Sequence, residues 1–321
     1  MGLIEAMSKI FTTTAQQKKA VDLFKGMEVF QVPGETFYVH SSGGSGSNYG
    51  NTRQLPLNSI VNALSKCVSG RGDLIVVLPG HTESVIAATT LVISKAGVTI
   101  VGEGRGTLKP TITISTAVTA EISVTAANVL IRNLRIVNDI DSLENIFNIA
   151  ASYCTIEDVD MVTSSTKEAL CFVNLVTTHD FLTMRRCTAY QPTDPAGTDG
   201  AAGTGFLYCV DSEHILLEDM HWDGNFETAI IHNKTSAAVD IRLVRCTGRQ
   251  ALSGAEITTL VSTATGLAID SHFHLPAAAD VSEATVWGTL GVGFGVAINS
   301  GVLADGAAGG QLLAPGTAVN S

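Results

Sequence analysis

The sequence predicts an all-β fold, namely a right-handed parallel β-helix with a short helical N-terminal cap and an irregular C-terminal extension. A short apolar motif recurs along the chain, and a second apolar run follows each copy. Inside several copies, the alternation of apolar residues slips by one position at a single polar residue. Repeats of about 20–50 residues are typical of solenoids, whose units bury their apolar faces only against neighbouring units. The right hand follows from the strong preference of parallel crossover connections.

The repeat has the length of one solenoid coil. Neighbouring copies are 25, 28, 33 and 26 residues apart when they are aligned on Ile131, Ile156, Met184, Leu217 and Leu243. The copies are residues 129–136, 154–161, 182–189, 215–222 and 241–248, with an earlier one at 98–103. The second apolar runs are residues 146–150, 171–176, 206–210, 229–233 and 258–262. The longest step contains the Pro/Gly/Asp-rich stretch 191–205, which predicts a loop that leaves the coil.

The phase slip inside a copy predicts a corner between two short strands. Asn133, Asp158 and Asp219 occupy this position, and short polar side chains tolerate the left-handed backbone of a tight corner. Arg186 and Arg245 stand at the same position in other copies. We therefore expect the corners at the two arginines to be built differently. The residues that point inward include Ile131, Leu134, Ile156, Val159, Leu217 and Met220.

Four segments follow from these patterns. They are an N-terminal arm and helix (1–50), a capping helix with the first strands (51–97), the parallel β-helix (98–275) and a C-terminal strand with an extended tail (276–321). The first predicted helix, at 15–29, places Ala20, Leu23, Phe24 and Met27 on one face. The second, at 56–67, begins with Pro56 and would cover the unpaired backbone edges of the first coil.

Composition restricts the classes of partner. Hydrophobic residues make up 45% of the 321 residues, charged residues 15%, and the formal net charge is −11. This composition excludes a disordered chain, and the net negative charge argues against nucleic acid as a partner. So few charges also leave more apolar surface than one solenoid hides, which predicts closed, symmetric self-association.

Neither a membrane span nor a metal-binding cysteine pattern is predicted. The uncharged stretch 284–304 is long enough to cross a bilayer. Its large residues alternate with small ones, however, which is the period of a strand; they are Val292, Phe294, Val296 and Ile298. The six cysteines are scattered without zinc-site spacing, so we expect buried, reduced thiols.

A segment ahead of the repeats resembles the start of pectate-lyase-like right-handed parallel β-helix proteins, in particular structural proteins of tailed bacteriophages. The residues that carry the resemblance are Gly50, Pro56, the helix at 57–67, Gly72, Asp73, the strand at 74–78, Pro79, Gly80 and His81. The resemblance covers about residues 36–275. It implies the fold, a homotrimer with three solenoids side by side, and a place in a phage particle. This fold also hosts lyases, hydrolases, tailspikes and fibres.

Two groups of carboxylates are the candidates for sugar cleavage, which needs paired carboxylates, or carboxylates that hold Ca²⁺ beside a basic residue. The groups are Glu157/Asp158/Asp160 and Glu218/Asp219/Asp223, with His221, Arg185 and Arg186 nearby. Asp158 and Asp219 are also explained as corner residues, and the others as solvent-facing positions. Long sugar-binding grooves are lined with aromatics, which make up only 6% of this chain. We therefore expect no catalytic residues here.

Three further motifs have structural explanations. Asp270, His272 and His274 place two imidazoles on one face of a strand, as in half of a metal site. Arg71-Gly72-Asp73 spells an adhesion tripeptide but stands where a helix must turn into a strand. The glycine-rich residues 102–106 follow a strand, but no helix that could bind phosphate comes next. We expect no metal and no cofactor.

The sequence thus predicts a non-enzymatic virion structural protein of a tailed phage, a capsid decoration or other head-associated protein made in the host cytoplasm. Its partners would be copies of itself and capsid or tail proteins, without nucleic acid or membrane. Two alternatives remain. One is a tail fibre or tailspike that binds host surface polysaccharide, with or without cleaving it, and the other is a free polysaccharide-active enzyme.

Overall fold

A computed structural model describes residues 34–164, 166–176, 179–192, 205–226, 229–233, 239–250 and 256–275, together with four short strands between 288 and 312. Residues Glu35–Ser321 form one unit, which contains every element below. The helix predicted at 15–29, most of the 191–205 loop and the end of the tail lie outside the described residues.

Three sheets built mainly of parallel strands run along the solenoid, and most coils contribute one strand to each sheet in the order A, B, C. Sheet A contains β1 (Thr36–Val39), β2 (Leu74–Val77), β5 (Thr99–Gly102), β8 (Leu130–Arg132), β11 (Thr155–Glu157), β14 (His179–Asp180), β15 (Thr183–Arg185), β18 (Ser212–Glu218), β21 (Val239–Val244), β24 (Thr265–Ile269) and β27 (Gly293–Val296). The predicted fold class is confirmed.

The other two sheets complete the coils. Sheet B contains β3 (Thr82–Val85), β6 (Thr111–Ile114), β9 (Arg135–Asn138), β12 (Asp160–Val162), β16 (Thr188–Gln191), β19 (His221–Gly224), β22 (Thr247–Gln250), β25 (His272–Leu275), β28 (Gly301–Ala304) and β29 (Gln311–Leu312). Sheet C contains β4 (Leu91–Ile93), β7 (Ile122–Val124), β10 (Leu143–Ile149), β13 (Ala169–Leu175), β17 (Gly205–Cys209), β20 (Ala229–Asn233), β23 (Glu256–Thr259) and β26 (Gly288–Thr289). The second apolar runs of the repeat thus form sheet C.

A short helix, α1 (Ile60–Lys66), closes the N-terminal end. The Ser59 hydroxyl accepts a hydrogen bond from the Asn62 backbone N–H and caps the helix. Helix α1 starts four residues after the predicted Pro56, because Leu57 pairs with β1 instead. The Leu57 N–H donates to Tyr38 and its carbonyl accepts from His40, so the free edge of β1 is covered.

Two buried acidic side chains tie this cap to the first coil. The Asp73 carboxylate, which is fully buried, accepts hydrogen bonds from the backbone N–H groups of Glu35 and Val68 and from the Arg71 guanidinium. The Glu83 carboxylate accepts from the first N–H of α1 at 2.8 Å and lies 3.1 Å from the buried His81 imidazole. These bonds join α1, sheet A and sheet B into one cap.

The core runs as columns of inward side chains through the middle of the solenoid. The predicted inward residues Ile131, Leu134, Ile156, Val159, Leu217 and Met220 are each at most 2% exposed. Large aromatic side chains fill the later coils, where Trp222 lies 5.3 Å from Phe206 and 5.9 Å from Phe273 between ring centroids. Each column therefore continues from coil to coil and carries most of the apolar burial.

From Asn133 onward, the corners between sheets A and B have the same left-handed backbone. Asn133, Asp158 and Asp219 have φ of 56°, 55° and 52°, as predicted. The prediction of a different corner at Arg186 and Arg245 is wrong, because both have φ of 52°. Each arginine Nε donates to an aspartate of the preceding coil at 2.7 Å. These ion pairs offset the cost of a left-handed backbone at a long side chain.

The coils continue beyond residue 275, where the apolar period fades from the sequence. Strands β26, β27 and β28 pair in parallel with β23, β24 and β25. Glycines lie before or between the large apolar residues of these strands, so the pairing of backbones continues although the repeated motif of the earlier coils is lost. An uncharged strand was predicted at 292–298, and β27 (Gly293–Val296) lies there.

All six cysteines are buried and unbonded to one another, as predicted. Burial raises the pKa of the thiols of Cys187, Cys209 and Cys246 to about 12. Among the described residues, no helix has the length and apolar character needed to cross a bilayer.

Candidate functional site

A row of charged corner residues runs along the edge between sheets A and B. We call it the charged ridge and define it as Asn133, Asp158, Arg186, Asp219 and Arg245, one from each consecutive coil. Every member has a left-handed backbone and takes its place because the N–H of each corner bonds to the next coil. Asn133 is neutral, and from Asp158 onward negative and positive side chains alternate along the ridge, at about the 4.8 Å spacing of neighbouring strands.

The outer face of sheet A carries a second alternating row beside the charged ridge. It consists of Arg132, Glu157, Arg185 and Glu218, which stand directly opposite one another on neighbouring strands. Arg185 Nε lies 2.7 Å from Glu218 Oε2, and Arg185 Nη1 lies 3.8 Å from Glu157 Oε1. Cross-strand pairs of opposite charge stabilise a sheet, so this row ties four coils together.

The two rows are also joined to each other, which makes them one lattice of ion pairs. Arg186 Nη2 lies 3.4 Å from Glu157 Oε2, and Arg132 Nε lies 3.1 Å from Asp158 Oδ2. Arg245 binds both Glu218 and Asp219. Each carboxylate of the lattice contacts at least one guanidinium, whose planar donors suit two acceptors at once.

The arginines keep the ridge carboxylates ionised. The hydrogen bond from Arg186 holds the pKa of Asp158 below its ordinary range, and the bond from Arg245 does the same for Asp219. In return, these aspartates raise the pKa of Arg186 and Arg245. A carboxyl group with a lowered pKa is a poor proton donor near neutral pH, so Asp158 and Asp219 serve as charge partners rather than as acids.

Sheet B extends the polar surface on the other side of the charged ridge. Lys109 Nζ donates to Asp160 Oδ2 at 2.8 Å and to the Asp158 carbonyl at 2.7 Å, with only 12% of its side chain exposed. Arg249 Nε lies 2.7 Å from Asp223 Oδ1, and Tyr190 stands directly opposite Asp223 with 43% of its surface exposed. This face therefore offers both ionic groups and an accessible tyrosine ring.

A second ridge, along the edge between sheets C and A, was not predicted from the sequence. We call it the aromatic ridge and define it as Asn128, Tyr153, Phe181, His214 and Asp240, all with a left-handed backbone. The Tyr153 and Phe181 rings stack at 4.8 Å, and the Phe181 and His214 rings stack at 4.6 Å. The stack of rings ends at His214, whose Nδ1 lies 3.0 Å from Asp240 Oδ2.

Exposure distinguishes the aromatic ridge from the core aromatics. Tyr153 is 53% exposed and Phe181 is 41% exposed, whereas Phe206 and Trp222 are fully buried. Hydrogen bonds from Arg242, with a further one from His214, lower the pKa of Asp240. Spacing is the feature of the sequence that could have revealed this ridge, because each of its members lies five residues before a member of the charged ridge.

The structure brings the two predicted carboxylate groups together with Arg185 and Arg186. Glu157, Asp158, Glu218 and Asp219 all belong to the ion-pair lattice, which was not predicted from the sequence. Asp160 and Asp223 lie on the outer face of sheet B, where His221 Nδ1 lies 3.0 Å from the Thr247 hydroxyl. Candidate acids and bases therefore share one continuous surface over several coils.

The structure also shows where the three remaining sequence motifs lie. His272 and His274 lie on strand β25 and flank the buried Phe273, whereas Asp270 occupies a corner with φ of 49° rather than the strand. No group of three or more metal-ligating side chains occurs within the described ranges. Asp73 of the adhesion tripeptide is buried. Residues 102–106 lead into a 3₁₀ helix, Gly106–Leu108, and Glu103 pairs with Arg53.

Comparison with solved structures identifies the fold. A rhamnogalacturonan lyase shares 13% identity and a TM-score of 0.51, over 75% of this chain and 69% of that chain. The pectate lyase Pel9A shares 12% identity and a TM-score of 0.51, over 75% of this chain and 68% of that one. The fold is that of a pectate-lyase-like parallel β-helix. No family model and no curated protein sequence matches the chain.

A more distant similarity involves a GH136 lacto-N-biosidase from Eubacterium ramulus, with 11% identity and a TM-score of 0.38. It covers 82% of this chain and 57% of that one, and a score this low supports no argument.

These comparisons correct the prediction that the chain is not an enzyme. That prediction rested on the sparse aromatics and on the interpretation of the grouped carboxylates as corner and solvent-facing residues. The similar solved structures are a rhamnogalacturonan lyase and a pectate lyase by name, so this fold gives no ground for denying an activity. The prediction of a non-enzymatic protein is therefore wrong. The similarity to these two lyases, at 12–13% identity, shows the fold alone.

Proposed function

We propose that this pectate-lyase-like β-helix is a component of a tailed-bacteriophage particle, placed on the capsid surface and assembled as a homotrimer. It would be made in the host cytoplasm and would act as part of the virion. The resemblance of residues 36–275 to phage structural proteins supports the proposal. Its most specific part, Gly72-Asp73 followed by Pro79-Gly80-His81, belongs to the hydrogen-bonded N-terminal cap.

The observation that carries the proposal is the ion-pair lattice. It links consecutive coils from Arg132 to Arg245 along one exposed edge, which suits a rod that must keep its shape outside the cell. Networks of charges stabilise better than isolated surface pairs. The exposed rings of Tyr153 and Phe181 add apolar surface of the kind that neighbouring subunits cover.

Quantitative mass spectrometry of purified virions tests this proposal, and immunogold labelling locates the protein on the particle. We expect many copies per particle, at the head. A few copies at the tail would favour the fibre or tailspike alternative. Complete absence from purified virions, with the protein present in the infected cell, would overturn the proposal.

Polysaccharide binding, as in a tail fibre or tailspike, is a second candidate function. The outer face of sheet B favours it, because the exposed Tyr190 ring lies beside Asp223 and its partner Arg249. A ring next to charged donors and acceptors suits a sugar, which has both C–H groups and hydroxyls. The names of the similar solved structures, a rhamnogalacturonan lyase and a pectate lyase, make acidic polysaccharides the first ligands to test.

Glycan-array binding followed by product analysis tests this second function. Tyr190→Ala should reduce retention of a bound polysaccharide. Tyr49→Ala is the matched control, because Tyr49 is 80% exposed but lies near the N-terminal cap. Steady release of unsaturated or reducing sugars would add an activity to the binding. Equal retention by both variants would exclude sheet B as the binding face.

A further inference from the structure

The aromatic ridge and the charged ridge border the same strip of sheet A. In every coil the two ridge residues are five positions apart, as in Tyr153 and Asp158 or Phe181 and Arg186. Strand pairing aligns each ridge from coil to coil, because Thr155 stands opposite Thr183 and Glu157 opposite Arg185. The two ridges are therefore parallel rows with the same spacing along the solenoid axis.

The side chains of the two rows match in chemistry within each coil. The Tyr153 hydroxyl can donate to a carboxylate such as Asp158, and the Phe181 ring suits the aliphatic stem of an arginine such as Arg186. In the next coil, the His214 imidazole matches the Asp219 carboxylate. In the coil after that, the Asp240 carboxylate matches the Arg245 guanidinium. At the first coil, Asn128 matches Asn133 through two amides.

These pairs do not form within one chain, because the ridges lie on opposite edges of sheet A. Within the chain, Asp240 contacts Arg242 and His214, whereas Arg245 contacts Glu218 and Asp219. About half of the Arg245 side chain is exposed, at 49%. Both rows therefore keep accessible surface for a partner.

We infer that the aromatic ridge of one copy binds the charged ridge of a second, parallel copy in the same coil register. The inference rests on the proposed homotrimer and specifies its contact surfaces. Each copy would present its aromatic ridge to one neighbour and its charged ridge to the other. Such a heterologous contact forms a closed ring when the rotation between copies closes, and the three sheet A faces would then surround the axis.

The charges on the two ridges favour alignment of the copies in the same coil register over alignments shifted by one coil. When the copies are shifted by one coil in one direction, Asp240 faces Asp219 and His214 faces Arg186. When they are shifted in the other direction, His214 faces Arg245 and Asp240 faces Asp270. Opposed like charges discriminate against wrong contacts. Only the unshifted register pairs opposite or complementary groups in all five coils.

Engineered disulfides test the contact and its register. The variant with Tyr153→Cys and Asp158→Cys places one thiol on each ridge at the same height, so oxidation should give covalent trimers. The control combines Tyr153→Cys with Arg186→Cys, a shift of one coil, or about 4.8 Å. A disulfide needs Cα atoms within about 7 Å, so we expect at least about tenfold more cross-linked trimer from the first variant. The native cysteines are buried and should not interfere.

Charge exchange gives an independent test by sedimentation equilibrium. Asp240→Arg and Arg245→Asp should each weaken self-association by about tenfold or more, because each opposes like charges at every contact. The two residues share no partner within the chain, so purely internal losses would add in the double variant. The ridge contact instead predicts that the double variant recovers the association of the parent protein.

Circular dichroism of each variant confirms that the β-helix is intact. A trimer that is unaffected by these exchanges, or cross-linked equally in both registers, would overturn the ridge contact and leave the proposed homotrimer standing. A parent protein that sediments as a monomer at all concentrations would overturn both.

Discussion

Replacement of Asp73 by alanine should destabilise the protein far more than any replacement in the exposed ion-pair lattice. The carboxylate is fully buried and accepts from the Glu35 N–H at 2.8 Å, the Val68 N–H at 2.7 Å and Arg71 Nε at 2.6 Å. Asp73→Ala leaves these donors without their acceptor in the cap. Breaking a buried charged network by removing one partner costs about 3–5 kcal/mol.

Asp219→Ala is the matched comparison, because it also removes an aspartate that binds an arginine. The Asp219 side chain is 39% exposed. Water can therefore replace the removed carboxylate beside Arg245. Exposed pairs contribute about 1 kcal/mol or less, so the two variants should differ several-fold in their loss of unfolding free energy. Urea unfolding followed by circular dichroism measures both. Equal losses would refute the view that the Asp73 hydrogen bonds hold the cap in place.

Acid provides a second measurement on the same residue. Burial raises the pKa of Asp73, but the bonds from Arg71, Val68 and Glu35 outweigh it and lower the pKa overall. A carboxyl group with a lowered folded pKa contributes stability above its unfolded pKa and loses it as pH falls through the folded value. Stability should therefore fall below about pH 4, where an unfolded Asp takes up its proton, and this fall should be smaller in Asp73→Ala.

Three further outcomes are expected. Leu217→Ala should cost about 2–5 kcal/mol in urea unfolding, because it empties a fully buried position in the column of inward residues. Gly224→Ala should prevent folding of the later coils, since a Cβ there would lie 1.6 Å from the Gln191 carbonyl oxygen. Gly70→Ala, also at positive φ but with nothing within 4 Å, should lose much less circular dichroism signal at the same temperature. The six buried thiols should react with a thiol reagent only in denaturant, so rapid reaction in buffer would contradict their burial.

The repeat carried enough information to predict the fold because every coil buries the same positions. Ile131, Ile156 and Leu217 occupy equivalent places in one column, so their spacing in the sequence is the length of a coil. Asn133 and Asp158 marked the corners because their short polar side chains are typical of left-handed backbone. Period and corner chemistry are local properties, and a sequence displays local properties directly.

The rest of the site depends on contacts between coils. Arg186 was expected to break the corner pattern, but Asp158 in the coil before it provides the partner that offsets the strain. Tyr153, Phe181 and His214 share no residue type and no apolar period, so their stacking becomes visible only when the coils are superposed.

The position of the hydrogen-bonded cap also gives folding a direction. The cap is built from residues 35–83, which leave the ribosome before any of the repeated coils. Each coil contacts mainly its neighbours, so every newly synthesised coil finds a finished edge on its N-terminal side. The chain can therefore fold during synthesis by adding one coil at a time to the folded N-terminal cap.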